Sequence, residues 1–301
     1  MGGGGRRSLT QSKSISISAN NVPYTYGPLV SDIYIASDLT DTEPLPVILN
    51  MAHYASNNIP NYKNITEIPS GHLPANINTS LANNWVRAFN NCSNLTSLPD
   101  PFYDTSNATN MYNMFSDCRN LTTVPNFNTS KVTDMRLMFQ NCYNLTTIPN
   151  FNTSKVTKMS YMFQNCYNLT TVPNFNTSKV TNMSWMFSQC NNLTTIPNFD
   201  TSNVTNMGWM FYRCYNLTTI PNFDTSKVTN MSQMFDSCSN IKGDLYIESN
   251  NMQNAKYMFF DCSKYTKNIY CHANTTTYNT IYRAMGNNTY NSMWNAYLKT
   301  F

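Results

Sequence analysis

Cysteine is the chemically reactive residue that recurs most regularly in this sequence. Eight of the nine cysteines follow one another at steps of 24 or 26 residues, each three residues after a phenylalanine. The eight are Cys92, Cys118, Cys142, Cys166, Cys190, Cys214, Cys238 and Cys262, and the ninth is Cys271. No C-x-x-C pair and no cluster of cysteine and histidine occurs, so we predict no metal site and no cofactor. Equivalent cysteines in stacked repeats would point in parallel, which favours free, buried thiols over disulfides.

The three histidines give little support for catalysis. His53, His72 and His272 lie outside the regular repeats, and no carboxylate pair recurs near any of them. General acid–base catalysis requires a titratable group within hydrogen-bond reach of its partner. We therefore predict that the protein is not an enzyme.

The spacing of the cysteines reflects a repeat that must position every other side chain. Met-Phe pairs recur at an unbroken step of 24 residues from Met114 to Phe259, and such a period is typical of stacked repeat proteins. In one copy, the sequence predicts a short strand over 145–151, ended by Pro149, and a short helix over about 153–166. We therefore predict an α/β solenoid, a stack of short parallel strands and short helices.

The two ends of the chain do not repeat. We divide the chain into an N-terminal attachment or capping region (1–63), a solenoid (64–263) and a C-terminal cap (264–301). Alternating apolar and polar residues at 14–18 and 32–35 predict strands in the first region. Apolar residues at mixed helical spacings in 275–301 predict a helical lid over the last repeat.

Composition limits the partners. Only 11% of residues are charged and the net charge is +4, too small and too dispersed to indicate nucleic-acid binding. No run of 18 apolar residues exists, so we predict no membrane span. The first residues include basic side chains but no apolar segment of the length found in a secretory signal peptide, so no signal peptide is detected.

One outward position of the predicted helix carries large side chains in successive repeats. This outward ladder consists of Leu137, Tyr161, Trp185, Trp209, Gln233 and Tyr257. A contiguous apolar row on a face predicted to meet water is typical of a surface for a partner or a glycan. The alternative is that a neighbouring loop or protomer covers the row.

Two further rows offer weaker signals. Lys131, Lys155, Lys179 and Lys227 form a basic row, interrupted by Asn203, which could attract an anionic polysaccharide or could simply be solvated. Paired threonines on the predicted strands, such as those at 146–147, form a regular hydroxyl grid. Threonine is a common residue on a wet strand face, and ice binding is an outside alternative.

The repeat as a whole resembles a known family. The pattern N-L-T-T-I-P-x-F-[ND]-T-S-x-V-T-x-M-x-x-M-F-x-x-C is similar to the BspA-like branch of leucine-rich repeats, the bacterial surface protein repeat of many adhesins and lipoproteins. The resemblance covers about residues 64–263. It implies a right-handed leucine-rich-repeat-like solenoid and attachment outside the cell.

We therefore expect a non-enzymatic attachment or structural protein at a virion or extracellular surface. The favoured hypothesis is a phage tail or head fibre that binds a host-surface protein or polysaccharide and docks to the virion or to neighbouring protomers through its N-terminal region. A bacterial cell-surface adhesin and an intracellular protein-interaction scaffold are the alternatives. The predicted binding residues are Leu137, Tyr161, Trp185, Trp209, Tyr257 and the four lysines.

Overall fold

The computed structural model describes most of the repeat region and short segments on either side of it. The described residues are 16–19, 22–25, 83–98, 104–242, 244–262, 269–286 and 298–299. The predicted strand at 32–35, His53, His72 and both predicted domain boundaries lie outside these residues.

Among the described residues, helices and strands of two or more residues lie before the repeats and from Leu245 onward, and the repeats at 104–242 contain none. The elements are β1 (Ser16–Ala19), β2 (Val22–Thr25), β3 (Leu245–Glu248), β4 (Ile269–His272), α1 (Thr275–Gly286) and β5 (Leu298–Lys299). Strands β1 and β2 pair antiparallel, and β1 overlaps the predicted strand at 14–18. Strands β3, β4 and β5 form a parallel sheet in that order. Leu245 lies beside Ile269, so the 24-residue step continues into this sheet.

The repeats between residues 83 and 262 stack in parallel. One phenylalanine per repeat joins a continuous stack whose neighbouring ring centroids lie 5.3 to 5.9 Å apart. Its members are Phe89, Phe115, Phe139, Phe163, Phe187, Phe211, Phe235 and Phe259. An exposed asparagine ladder runs alongside, and each Nδ2 donates to the preceding Oδ1 at 3.3 to 3.4 Å. Its members are Asn120, Asn144, Asn168, Asn192 and Asn216. The chain is therefore a repeat solenoid.

The predicted core is confirmed in the repeat from 145 to 166. In the repeat from 145 to 166, all eight predicted core side chains are at most 8% exposed. They are Leu145, Ile148, Phe151, Val156, Met159, Met162, Phe163 and Cys166. Because each repeat contributes one layer, burial depends on the neighbouring copies.

The prediction of a helix at 153–166 is wrong, because these residues form turns. The N–H of Phe163 donates to the carbonyl of Met186 in the next repeat at 2.9 Å. The N–H of Met162 donates to the carbonyl of Met159, three residues earlier, at 3.3 Å. An α-helix would direct both groups four residues back. Along this segment, successive backbone N–H groups donate alternately to a carbonyl of the next repeat and to the carbonyl three residues earlier. We call this arrangement the turn ladder.

The prediction of a strand at 145–151 is also wrong. The N–H of Thr146 donates to the carbonyl of Thr122 in the preceding repeat at 3.0 Å. Pro149 has no N–H to donate, and the N–H of Phe151 turns back to the carbonyl of Pro149 at 2.9 Å. Because a strand needs successive ladder bonds, this segment does not form one.

The turns place two residues of each repeat at positive φ. The first position comprises Arg87, Asn113, Leu137, Tyr161, Trp185, Trp209, Gln233 and Tyr257, with φ between 50° and 63°. The second lies four residues later and comprises Asn91, Asp117, Asn141, Asn165, Gln189, Arg213, Ser237 and Asp261. Positive φ at the third residue of a turn is characteristic of type II turns, which favour Gly or Asn. The outward ladder thus occupies a position that bulky side chains rarely adopt.

Helix α1 lies in the first part of the segment where the sequence predicts a helical lid. Helix α1 begins after Asn274, whose Oδ1 accepts the N–H of Thr277 at 2.8 Å, as an N-cap side chain does. Ile281 on this helix is fully buried. The Oγ1 of Thr277 accepts the N–H of Met252 at 3.3 Å, which ties the helix to the repeat beneath it.

Candidate binding surfaces

Three residues of the outward ladder form one aromatic stack. The ring centroids of Tyr161 and Trp185 lie 5.8 Å apart, and those of Trp185 and Trp209 lie 5.0 Å apart, with interplanar angles of 7° in both pairs. All three side chains are half-buried. We call Tyr161, Trp185 and Trp209 the aromatic stack. It is a continuous apolar strip three repeats long.

The stack presents ring edges to solvent. Both faces of Trp185 lie against neighbouring rings, and Tyr212 contacts Trp185 edge-on at 6.3 Å and 63°. A sugar ring binds best on an open aromatic face, whereas ring edges carry partial positive charge and favour the faces of other aromatic rings. The geometry therefore suits apolar and aromatic side chains of a protein better than a glycan.

Leu137 and Tyr257 share the backbone position of the stack but do not extend it. Leu137 is half-buried in the repeat before Tyr161. Tyr257 is separated from Trp209 by Gln233, and its ring contacts Phe260 at 5.7 Å and Lys256 Nζ at 4.8 Å. The structure thus brings together, as stacked rings, three of the five ladder residues that the sequence analysis predicts to bind.

A charged group that sequence reasoning missed lies beside the start of the stack. Arg136 Nη2 is 2.6 Å from Asp134 Oδ2, and Lys158 Nζ is 3.7 Å from the same oxygen. Arg136 also lies over the ring of Tyr112 at 5.2 Å. The hydrogen bonds that the Arg136 guanidinium donates to the Asp134 carboxylate raise the pKa of Arg136. The sequence signal was the replacement of asparagine by Asp134 and Lys158 at one repeat position.

Tyr212 is a second residue that sequence reasoning missed. It is half-buried beside Trp185, and the guanidinium of Arg213 lies over its ring at 5.0 Å. The predicted helix gave no reason to place this residue against Trp185, because the backbone here forms turns. In the turn ladder, a residue three positions after Trp209 lies against the ring of the preceding repeat.

The four predicted lysines are all exposed, as a solvated row would be. Lys131 Nζ donates to Asn107 Oδ1, and Lys227 Nζ donates to Asn203 Oδ1 at 2.7 Å. Each bond joins the lysine to the asparagine that occupies the equivalent position in the preceding repeat. Lys155 and Lys179 instead follow another lysine, so the same contact is not open to them.

The threonine grid is partly used within the fold. The Oγ1 atoms of Thr146 and Thr218 donate to the carbonyls of Thr122 and Thr194 at 3.2 and 3.1 Å. These hydroxyls strengthen the backbone ladder between repeats. The hydrogen bonds between repeats therefore explain the first threonine of these pairs. Because these hydroxyls donate within the fold, fewer hydroxyls are free to bind a ligand.

Comparison with known proteins identifies the family. Four overlapping segments match a family described as "Mycoplasma protein of unknown function, DUF285". The matched segments are 61–168, 83–199, 143–218 and 191–296. Together they cover well over half of the chain. The chain belongs to this family. No curated protein matches the sequence.

The thiols of this DUF285 chain are free and buried, as predicted. Burial raises the pKa of Cys118, Cys142, Cys166, Cys190, Cys214, Cys238 and Cys262, and that of Cys271 to about 11. A thiol with a raised pKa is a poor nucleophile and a poor metal ligand at neutral pH.

Other reactive groups in the described residues do not converge. Among them, no three His, Cys, Asp or Glu side chains lie close enough to hold a metal ion. His272 Nδ1 is 3.8 Å from Glu248 Oε1, and both side chains are well exposed. The helices of the described part are too short or too polar to cross a membrane.

Proposed function

We propose that this protein is a non-enzymatic attachment protein that contacts a protein partner through the aromatic stack. One observation carries this proposal. Asn113 and Gln233 occupy the same positive-φ position as Tyr161, Trp185 and Trp209, so the backbone accepts polar residues there. A left-handed conformation costs a bulky residue about 1 to 2 kcal/mol, and such strain is typical of functional sites. Aromatic residues at this position in three consecutive repeats therefore point to a function beyond folding.

The partner we favour is a protein that inserts apolar or aromatic side chains over the exposed ring edges. Aromatic residues are the usual anchors of protein interfaces, and removing one costs about 2 kcal/mol or more. A host-surface polysaccharide remains the other candidate from the sequence, and the edge-on geometry supports it less.

The setting of this attachment is also a proposal. The sequence favoured a virion fibre, while the family description names a bacterial genus, which supports a bacterial cell surface. Genes flanking this one decide between them: portal, capsid or tail genes support the virion, and a secretion or sortase locus contradicts it. A distant relation to BspA-like leucine-rich repeats, with a right-handed coil, is part of the same proposal, supported by the 24-residue period and the parallel stacking.

A second candidate, an intracellular scaffold, is favoured by the free thiols. All nine cysteines are free and buried, and free thiols are typical of cytosolic proteins. Fractionation of the native host cells distinguishes the two settings: recovery in the cytosol supports the scaffold, and recovery on the cell or particle surface contradicts it.

The test of the aromatic stack is a Trp185→Ala, Trp209→Ala double variant. Binding to intact host cells and to protease-treated cells is measured by flow cytometry, with Gln233→Ala as the control at the same backbone position. We expect the double variant to bind at least about 30-fold more weakly, since 1.4 kcal/mol is tenfold in Kd. Gln233→Ala should bind normally, and protease treatment should abolish binding.

Two outcomes contradict the proposal. Unchanged binding by a double variant with a normal melting temperature removes the stack from the contact surface. Binding that survives protease but is lost after periodate oxidation of cell glycans replaces the protein partner with a carbohydrate.

A further inference from the structure

The formal charge around the lysine row differs from one repeat to the next along the solenoid. Five successive repeats contain a segment of the form N-L-T-T-[IV]-P-N-F-[ND]-T-S-[KN]-V-T. The segments are 120–133, 144–157, 168–181, 192–205 and 216–229. In the first three, the only charged residues are Lys131, Lys155 and Lys179. The fourth contains Asp200 and no lysine, and the fifth contains both an aspartate and a lysine. The formal charges are thus +1, +1, +1, −1 and 0. We call Lys131, Lys155 and Lys179 the lysine patch.

The fold holds the lysine patch in a line. The N–H of Thr157 donates to the carbonyl of Thr133 at 3.0 Å, and its Oγ1 donates to the same carbonyl at 3.3 Å. On the other side of the lysine, Thr129 Oγ1 donates to the carbonyl of Asn152 in the next repeat at 3.0 Å. Backbones bonded in this way lie about 4.8 Å apart. The backbone positions of the three lysines therefore repeat at about this spacing along the axis.

The charge of the patch is not balanced by nearby acids. Among the described residues, Lys155 and Lys179 form no ion pair. Asp134, the nearest acid in sequence after Lys131, is buried and paired with Arg136.

Lys227 differs from the patch lysines. Lys131 and Lys227 both donate to an asparagine one repeat back, but only the charge of Lys227 helps to lower the pKa of an aspartate, Asp224, after the larger effect of hydrogen bonds from Ser226. Charge compensation is therefore present at one end of the row and missing at the other.

We propose that the lysine patch binds a linear anionic polysaccharide that runs along the solenoid axis. One lysine per repeat places a cation at intervals comparable to the length of one sugar residue. The exposed Asn152 beside Lys155 supplies an amide for sugar hydroxyls, and the exposed Thr157 Oγ1, whose proton is donated to Thr133, can still accept a hydrogen bond from one. This ligand and this site go beyond the attachment function proposed for the aromatic stack.

The chemistry of the patch selects a polysaccharide over a nucleic acid. The segments that carry it contain no arginine, and their one aromatic residue in each repeat, such as Phe151, is buried. Bases therefore find no ring to stack on, and phosphates find no planar guanidinium to pair with.

The test measures binding of fluorescent alginate oligomers to the full chain by anisotropy, at low and at high salt. We expect salt-sensitive binding, weakened about tenfold or more in the Lys131→Gln, Lys155→Gln, Lys179→Gln variant, since each exposed charge contributes about two- to fivefold. Lys227→Gln is the matched control and should change binding by less than about twofold, because its charge already has an acidic neighbour. Circular dichroism melts verify that each variant is folded, and the single Lys155→Glu variant gives a second reading should the triple variant unfold.

Several results overturn the proposal. These are absence of alginate binding by the unaltered protein, equal binding of uncharged maltodextrin, and unchanged binding by the triple variant or by Lys155→Glu. A loss in Lys227→Gln as large as in the triple variant also contradicts a localised patch. Single-stranded DNA of equal charge that binds as tightly, with the same lysine dependence, reassigns the patch to nucleic acid. The Trp185→Ala, Trp209→Ala variant should retain alginate binding, so the two surfaces can fail separately.

Discussion

The thiol of Cys166 donates a hydrogen bond to the backbone carbonyl of Phe139, 3.1 Å away in the preceding repeat. The same carbonyl accepts the N–H of Cys142 at 3.2 Å. Seven thiols from Cys118 to Cys262 make the equivalent bond, at 2.8 to 3.2 Å. Cysteine combines a small apolar volume with a weak donor. This pairing explains its fixed place three residues after phenylalanine.

We expect the core thiols to be unreactive in the folded protein. Burial raises their pKa, so the thiolate is scarce at pH 8, and the sulfur atoms are also shielded from reagents. Iodoacetamide should leave Cys142, Cys166 and Cys214 unmodified in native protein and label all three in guanidinium chloride. Peptide mass spectrometry measures both. Rapid native labelling at these positions would show that the repeats open locally.

The backbone at Leu137 gives a test that separates the turn ladder from a helix. In an α-helix, alanine is about 1 kcal/mol more stable than glycine. At Leu137, φ is 56°, a conformation that glycine adopts freely and alanine does not. Leu137→Gly should therefore be more stable than Leu137→Ala, by about 1 kcal/mol. Chemical denaturation of the two variants measures the difference, and the opposite order would restore the helix.

The sequence predicted which side chains are buried but not the backbone that buries them. Met159, Met162, Phe163 and Cys166 are spaced by three, one and three residues, which fits a helical stripe of period 3.6. Two turns in each repeat, whose positive-φ residues lie four apart, place the same four side chains inward. The two backbones differ in where the N–H groups donate, and bonds to the next repeat leave no local signal in the sequence.

For the candidate binding surfaces, the sequence likewise predicted where the side chains lie but not how they are oriented. The positions of Tyr161, Trp185 and Trp209 followed from the repeat, because a fixed period aligns equivalent residues. Their orientation did not, since only the distances between stacked rings show that edges rather than faces meet solvent. Tyr212 was missed because its contact with Trp185 crosses from one repeat to another.

The raised pKa of Asp236 predicts a pH-dependent contribution to the stability of the fold. Burial raises its pKa, although Gln233 Nε2 and Ser237 Oγ donate to it at 2.9 and 2.7 Å. Arg213 opposes this rise and Asp261 adds to it. A carboxyl whose pKa is higher in the folded state stabilises the fold at pH below its unfolded pKa, and this contribution is lost as pH rises through the folded value.

The corresponding variant is Asp236→Asn, which removes the buried charge. Relative to the unaltered protein, we expect it to gain stability at pH 7 and to lose that advantage near pH 3, because the carboxyl is then protonated. Melting temperatures of both proteins between pH 3 and 7 give the comparison. Taking the difference cancels Asp200 and Asp224, whose pKa values are lowered by hydrogen bonds from serines. A difference that does not vary with pH would assign no burial cost to Asp236.

Gly208, the residue before Trp209, tests how tightly the repeats approach beside the aromatic stack. A Cβ at this position would lie 2.9 Å from Asn230 Nδ2, which donates to Asn206 Oδ1 at 3.1 Å. Gly208→Ala should therefore cost about 1 kcal/mol, the typical value of one hydrogen bond, as the Asn230 amide moves away. Ser184 and Ser232 occupy the position equivalent to Gly208 in the repeats before and after it. Ser184→Ala is the control and should change stability by about 0.5 kcal/mol or less.

A double-mutant cycle locates the cause of that loss. In an Asn230→Ala background, the amide that collides with the new methyl group is already gone, so Gly208→Ala should cost much less than in the unaltered protein. Coupling of this kind is expected for residues in contact and absent for independent sites. Equal costs in both backgrounds, measured by chemical denaturation, would mean that the backbone at Gly208 and not the Asn206 to Asn230 amide bond requires glycine.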